Sequence, residues 1–136
     1  MMNIKRAKDP QIIKYLRPYF IEDDACTRDI IAKELFDMMV SVPNEIFVVV
    51  IFEENELKGF GIAWIPDNRE YVWLSQAWSK SGNERKYGRE AIEMIKQWAI
   101  SEHNIHEIRM ETLRNPKVME RIWNFKPYAV VMRNRF

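Results

Sequence analysis

The run Arg85-Lys86-Tyr87-Gly88-Arg89 joins cations to a glycine between an aromatic, strand-like stretch at residues 71–79 and an amphipathic helix pattern that begins near Glu90. A basic, glycine-containing turn that ends a strand and opens a helix aims unpaired backbone N–H groups at one spot, where the helix dipole already favours an anion. The chemistry this suits is the binding of a pyrophosphate. Taken alone, the run reads more readily as a solvated basic turn, and its place between a strand and a helix reverses that preference. The other reactive residue types point to less. His103 and His106 flank a helix-to-strand turn without a Cys, His or carboxylate at metal-ligand spacing, so no metal is expected. Cys26 sits beside Asp23 and Asp24, whose charges raise a thiol pKa, so it is not read as a nucleophile. The acidic pairs Asp23-Asp24 and Glu53-Glu54 read as solvated turn charges.

The elements that must hold such a cradle follow from periodicity. Residues 3–7 make a short first strand. Asp9-Pro10 supplies an N-cap and a proline at the first helical position, and Ile12, Ile13, Leu16 and Phe20 recur at helical spacing, with the helix ending before Asp23. A second helix starts at Thr27, carries Ile31, Leu35, Met38, Met39 and Val42 as its apolar stripe, and stops at Pro43. The continuous β-branched and aromatic segment 47–52 predicts a strand buried on both faces. A turn at residues 53–56 reverses the chain into an antiparallel strand at 57–65, and Pro66-Asp67-Asn68 turns it again into a third strand at 71–79. After the cradle come a helix with Ala91, Ile92, Ile95, Trp98 and Ala99 on one face and a strand at about 107–113. Strand, helix, strand implies a parallel pair, with the helix N-terminus at the carboxyl edge of the sheet, where ligands of open α/β sheets bind. A short helix with Val118, Met119 and Ile122 and a strand at 128–132 complete the order β, α, α, three β, α, β, α, β.

Composition narrows the function classes. The 136 residues fit one domain, 1–136, at about 150 residues per domain. The 21 basic and 20 acidic residues nearly cancel, so no global field draws the chain to nucleic acid or to an anionic membrane, and neither is expected as a partner. The longest apolar run, 46–52, is far below the roughly 18 residues of a membrane span. One cysteine excludes an internal disulfide, and the polar, charged first ten residues do not resemble a secretion signal, so a cytoplasmic setting is expected. Five tryptophans, seven phenylalanines and five tyrosines supply either a dense core or the wall of a cleft. Trp73, Trp78 and Trp123 are candidates for such a cleft wall, with core packing preferred for Trp73.

This element order, with its basic glycine turn after the fourth strand, resembles the GCN5-related N-acetyltransferase (GNAT) family, whose signature at that place is Gln/Arg-x-x-Gly-x-Gly/Ala. Arg85-x-x-Gly88 fits it, and Ala91 comes one residue later than the signature's small residue. Trp123-Asn124-Phe125 stands where the family often has Tyr and Gly-Phe. The resemblance spans nearly the whole chain. It implies an α/β (α+β) fold with a mixed, mostly antiparallel sheet, one parallel β-α-β crossover, and helices on both faces. It also implies acetyl-CoA as co-substrate, without a metal. The backbone of Arg85, Lys86, Tyr87, Gly88 and Arg89 would hold the phosphates, while Ala77, Trp78 and Ser79, with Asn115 at the end of the following strand, would flank the pantetheine.

The implied reaction is direct transfer of an acetyl group from the thioester to a small-molecule or peptide amine, which needs a neutral amine, an oxyanion donor and an acid for the leaving thiolate. Where the family often has a thiolate-protonating tyrosine this chain reads Ile122-Trp123, which leaves Tyr87 and Tyr128 as substitutes. Glu111 is the candidate base, and it is equally placed to pair with Arg109 on its own strand face. Two functions therefore fit: an N-acetyltransferase, or a catalytically degenerate acyl-CoA-binding or protein-interaction module of the same fold. A last strand from Tyr128 offers an edge for a homodimer, blunted by Arg133 and Arg135.

Overall fold

The structure, a computed structural model, describes residues 2–20, 27–80, 82, 84–110, 125–126 and 134. Its frame is a sheet whose first four strands are antiparallel neighbours in chain order: β1 (Met2–Arg6), β2 (Ile46–Glu53), β3 (Glu56–Trp64) and β4 (Val72–Ser79). The fifth, β5 (Ile108–Arg109), lies parallel to β4 and completes the order β1-β2-β3-β4-β5. The parallel pair predicted from strand, helix, strand is present.

The unbroken apolar segment of β2 is buried on both faces because both faces carry helices. Phe47, Val49 and Ile51 join Ala63, Val72 and Leu74 beneath α3 (Arg89–His103), whose Ala91, Ile92, Ile95, Trp98 and Ala99 form the predicted apolar stripe. On the other face Val48 and Val50 meet Phe60 and Ile62 beneath Ile13, Leu16 and Phe20 of the first helical segment and Leu35 and Met39 of α2 (Arg28–Ser41). Each fully buried Val or Ile in this double layer contributes about 1.5–3 kcal/mol.

Turn chemistry sets the register. Glu54 and Asn55 both take positive φ, 56° and 62°, the combination that a two-residue hairpin loop needs to match strand twist. The oxygen of Asp9 accepts from the N–H of Gln11 at 2.9 Å, and the helix that follows, α1 (Ile12–Leu16), continues as a 3-10 turn, Arg17–Tyr19. Thr27 caps α2 as predicted, accepting from the N–H of Ile30 at 3.3 Å. Thr27→Ala should therefore lower stability by about 1 kcal/mol in urea unfolding, and an unchanged midpoint would remove the cap from the account.

Two departures from alternation matter for the site. Ile62 pairs with Gln76 while Ala63 pairs with Leu74, so Ser75 is an extra residue, a β-bulge in the middle of β4. The second departure is at the start of the helix after β4. Sequence reading places a turn before a helix at Glu90; instead Glu84–Gly88 is already wound as a π turn that runs straight into α3. The helix around Val118 and the strand at 128–132 lie outside the described residues. No helix among the described residues is long and apolar enough to cross a membrane.

Candidate functional site

β4 and β5 share only two ladder pairs, Val72 with Ile108 and Trp73 with Arg109. Beyond Trp73, β4 runs on for six residues with β3 on its other edge, and among the described residues no ladder partner follows on the β5 side. A strand edge without a ladder partner offers backbone N–H and C=O groups to an extended ligand. The bulge at Ser75 bends the strand at the middle of that edge.

The open edge leads to Ser79, whose backbone pairs with Gly59, and then past Gly82, which takes a left-handed φ of 87°, to the π turn. In an i→i+5 turn the leading N–H groups have no acceptor inside the helix, and here these belong to Glu84, Arg85 and Lys86. They lie at the positive end of a dipole carried by the π turn and the 15 residues of α3. Gly88 comes later in the run, buried and helical at φ −63° and ψ −42°. Its use is therefore space and not a special torsion, and the glycine that needs its conformational freedom is Gly82. After the turn, Ala91 and Ile92 reach the core beneath α3.

Tyr87 fixes this turn to the sheet. Its ring is buried, and its hydroxyl donates to Glu53 Oε2 at 3.0 Å across the end of the β2–β3 hairpin. The approach is close enough that a Cβ on Gly59 would stand 3.2 Å from the Tyr87 Cβ and 3.2 Å from the Trp78 carbonyl oxygen. Tyr87 thus works as a side chain that anchors the cradle, and its hydroxyl is committed to Glu53. Lys86 Nζ also reaches Glu53, at 3.3 Å, while Lys80 and Lys58 bond the two oxygens of Glu56 at 2.8 and 3.1 Å. Two hairpin carboxylates thereby organise the lysines at the end of β4. Arg85 and Arg89 are exposed.

The hydrogen bond from Tyr87, then that from Lys86, holds the Glu53 carboxyl below its ordinary range, and burial, then Glu53, pushes the Tyr87 hydroxyl up. A lowered carboxylate pKa contributes stability that is present above the ordinary value of 4.5 and is lost as pH falls through the lower folded value. Tyr87→Phe removes the largest cause, so the acid limb of a urea-midpoint-against-pH profile should become shallower below that pH. An unchanged acid limb would show that the tether carries no such linkage.

The other expected site residues divide by face. Ala77 packs toward α3, whereas Trp78 lies on the α1 side and is half-buried. Ser79 is buried at the end of the open edge. Glu111, Asn115, Trp123 and Tyr128 lie outside the described residues, as do Asp24 and Cys26. Trp73, expected in the core, is half-buried and belongs to neither apolar cluster; it lies on the face of β4 turned away from α3. Glu53 and Tyr19 carried no sequence signal of a role here; Gly59 did, since a glycine inside a strand marks a close approach.

A family model described as the acetyltransferase (GNAT) family matches residues 10–121 of the chain. No curated protein matches it. Among solved structures, the aminoglycoside antibiotic 6'-N-acetyltransferase AAC(6')-Ih of Acinetobacter baumannii superposes with a TM-score of 0.71 at 12% identity, covering 100% of this chain and 99% of that one. Glucosamine-6-phosphate N-acetyltransferase of Arabidopsis thaliana gives 0.67 at 15% identity, with 100% and 99% covered. The aminoglycoside N-acetyltransferase AAC(6')-Iy, solved in complex with CoA, gives 0.70 at 14% identity, with 100% and 95% covered. All three share this fold.

Proposed function

The chain belongs to the acetyltransferase (GNAT) family, and from that membership we propose that it is an N-acetyltransferase, taking acetyl-CoA as co-substrate and passing the acetyl group directly to a primary amine. The observation that carries this reading is the course of β4, parallel to β5 at Val72 and Trp73, which runs on from Trp73 to Ser79 and the leading amides of a long helix. That edge suits an extended, amide-bearing arm, and the amides at its end suit a diphosphate. The residues present thus fit the coenzyme at both ends. Similar folds solved with CoA, or named for transfer to aminoglycosides or to glucosamine 6-phosphate, agree with a small-molecule amine as acceptor.

In the reaction the amine nitrogen bonds to the thioester carbon, the C–S bond breaks, and the thiolate takes up the proton that the nitrogen gives away. Positioning along β4 supplies part of the rate, since a correctly held pair of reactants gains several kcal/mol over free encounter. Ala77, Trp78 and Ser79 flank the arm; Arg85, Lys86, Tyr87, Gly88 and Arg89 form the phosphate end, and Asn115 is a further coenzyme-binding residue. Glu111 is our base and Tyr128 our acid. The unit is taken as one acyl-CoA N-acyltransferase-like domain, 1–136, working in the cytoplasm, with the strand from Tyr128 as its dimer edge.

Titration calorimetry with acetyl-CoA, followed by a thiol-release assay over an amine panel, tests this. Binding followed by amine-dependent release supports the enzyme. Binding without release with any amine favours a coenzyme-binding module, and no binding removes both.

A further inference from the structure

The face of β4 turned away from α3 carries aromatic rings, of which Trp78 alone also flanks the coenzyme's arm. Trp73 lies between Val72 and Leu74, which face α3, and its register partner on β3 is Trp64. Past the bulge, Trp78 lies on the same face, with Tyr19 at 4.5 Å between ring centroids and tilted by 45°. The extra residue Ser75 leaves Gln76, register partner of Ile62, between these two aromatic pairs. All four rings keep surface: Trp64, Trp73 and Trp78 are half-buried, and Tyr19 is 37% exposed. A tryptophan can bury about 150–250 Å² of mostly apolar surface, so rings left partly open along one strand form a wall for a flat apolar body.

The charge pattern points the same way. Arg109, the ladder partner of Trp73, lies 4.1 Å over the ring of Tyr71 and is ion-paired with Glu107. A polycation would bring several ammonium groups to this aromatic wall, whereas an amine on an apolar body gives up little hydration there.

We propose that the acceptor is an arylalkylamine, whose ring packs against the exposed parts of the Trp64–Trp73 and Trp78–Tyr19 pairs and whose alkyl chain carries the amino group to the edge of β4. This rests on the N-acetyltransferase reading above and specifies its substrate. The alkyl spacer matters because the rings flank the strand while the thioester follows its edge.

The test is steady-state kinetics with acetyl-CoA against phenethylamine, tryptamine, kanamycin and glucosamine 6-phosphate as acceptors. The arylalkylamines should exceed the others in kcat/KM by about tenfold or more. Trp73→Ala should raise the KM for tryptamine about tenfold at an unchanged KM for acetyl-CoA, with Trp73→Phe restoring most of the loss. Tyr19→Ala, at a partly exposed position, is the second variant should Trp73→Ala fail to fold, and it should raise the same KM. The proposal is overturned by a preference for kanamycin or glucosamine 6-phosphate, or by an unchanged tryptamine KM in a folded variant. In both cases thiol release leaves acetyl transfer itself standing. Absence of thiol release with every amine overturns both the acceptor class and the enzyme reading.

Discussion

Gly88→Val should weaken acetyl-CoA binding by about 100-fold or more, while the thermal transition of the protein without ligand stays cooperative. The argument is one of space. Gly88 is buried and already helical, so valine finds a torsion it can adopt and the helix loses little by propensity. What changes is the surface at the head of the helix, where a branched side chain would stand in the way of a phosphate. Losing two charge-assisted hydrogen bonds, at about 1.5–3 kcal/mol each, accounts for such a factor. Calorimetry on the variant reads it directly. An affinity within about threefold of the parent protein, with an intact melt, would mean that no phosphate approaches this helix.

Tyr87→Ala carries the largest expected loss of stability, about 3–5 kcal/mol by analogy with other aromatic truncations in a core. Two effects add. The ring is 4% exposed and packs with the cluster beneath α3, so its removal opens a cavity between the π turn and the sheet. Its hydroxyl also ties the turn to Glu53, and without it the carboxylate loses the largest of the interactions that hold it down, while the bond from Lys86 stays. Tyr87→Phe separates the two, since it keeps the ring and should cost only about 1 kcal/mol. Urea unfolding of the pair measures the difference. Equal losses in both variants would place the whole effect in the hydrogen bond, and a loss below about 1 kcal/mol in Tyr87→Ala would show that the site collapses without cost.

Much of the fold is legible in the sequence because the strongest signals are periodic. The apolar run of β2, the hairpin at Glu54-Asn55, the cap at Thr27 and the stripe of α3 each reflect a local physical preference that the tertiary structure keeps. The helices on both faces and the parallel pair follow from that order. The site is less legible, since its features depend on departures from periodicity. Nothing about Ser75 announces a bulge, because a serine fits a regular strand as well. Nothing about the spacing of residues 84–88 announces an i→i+5 turn, because the same residues would serve an α turn. Tyr87 reads as part of a basic loop until Gly59, distant in sequence, is found to leave room for it. Trp73 reads as core because tryptophans in small domains usually are, yet it sits on the face of β4 away from α3, opposite Arg109, and stays half-buried. The candidate acid and base depend on residues outside the described part of the chain.

A helix whose first turn is wound a residue wider than the rest can absorb a one-codon insertion. Downstream, every side chain keeps its bearing toward the sheet, as Ala91 and Ile92 do. Natural variation in the length of the loop after β4 should thus be buffered at Glu84–Gly88, leaving the core of α3 untouched and confining evolutionary drift to the rim of the anion site.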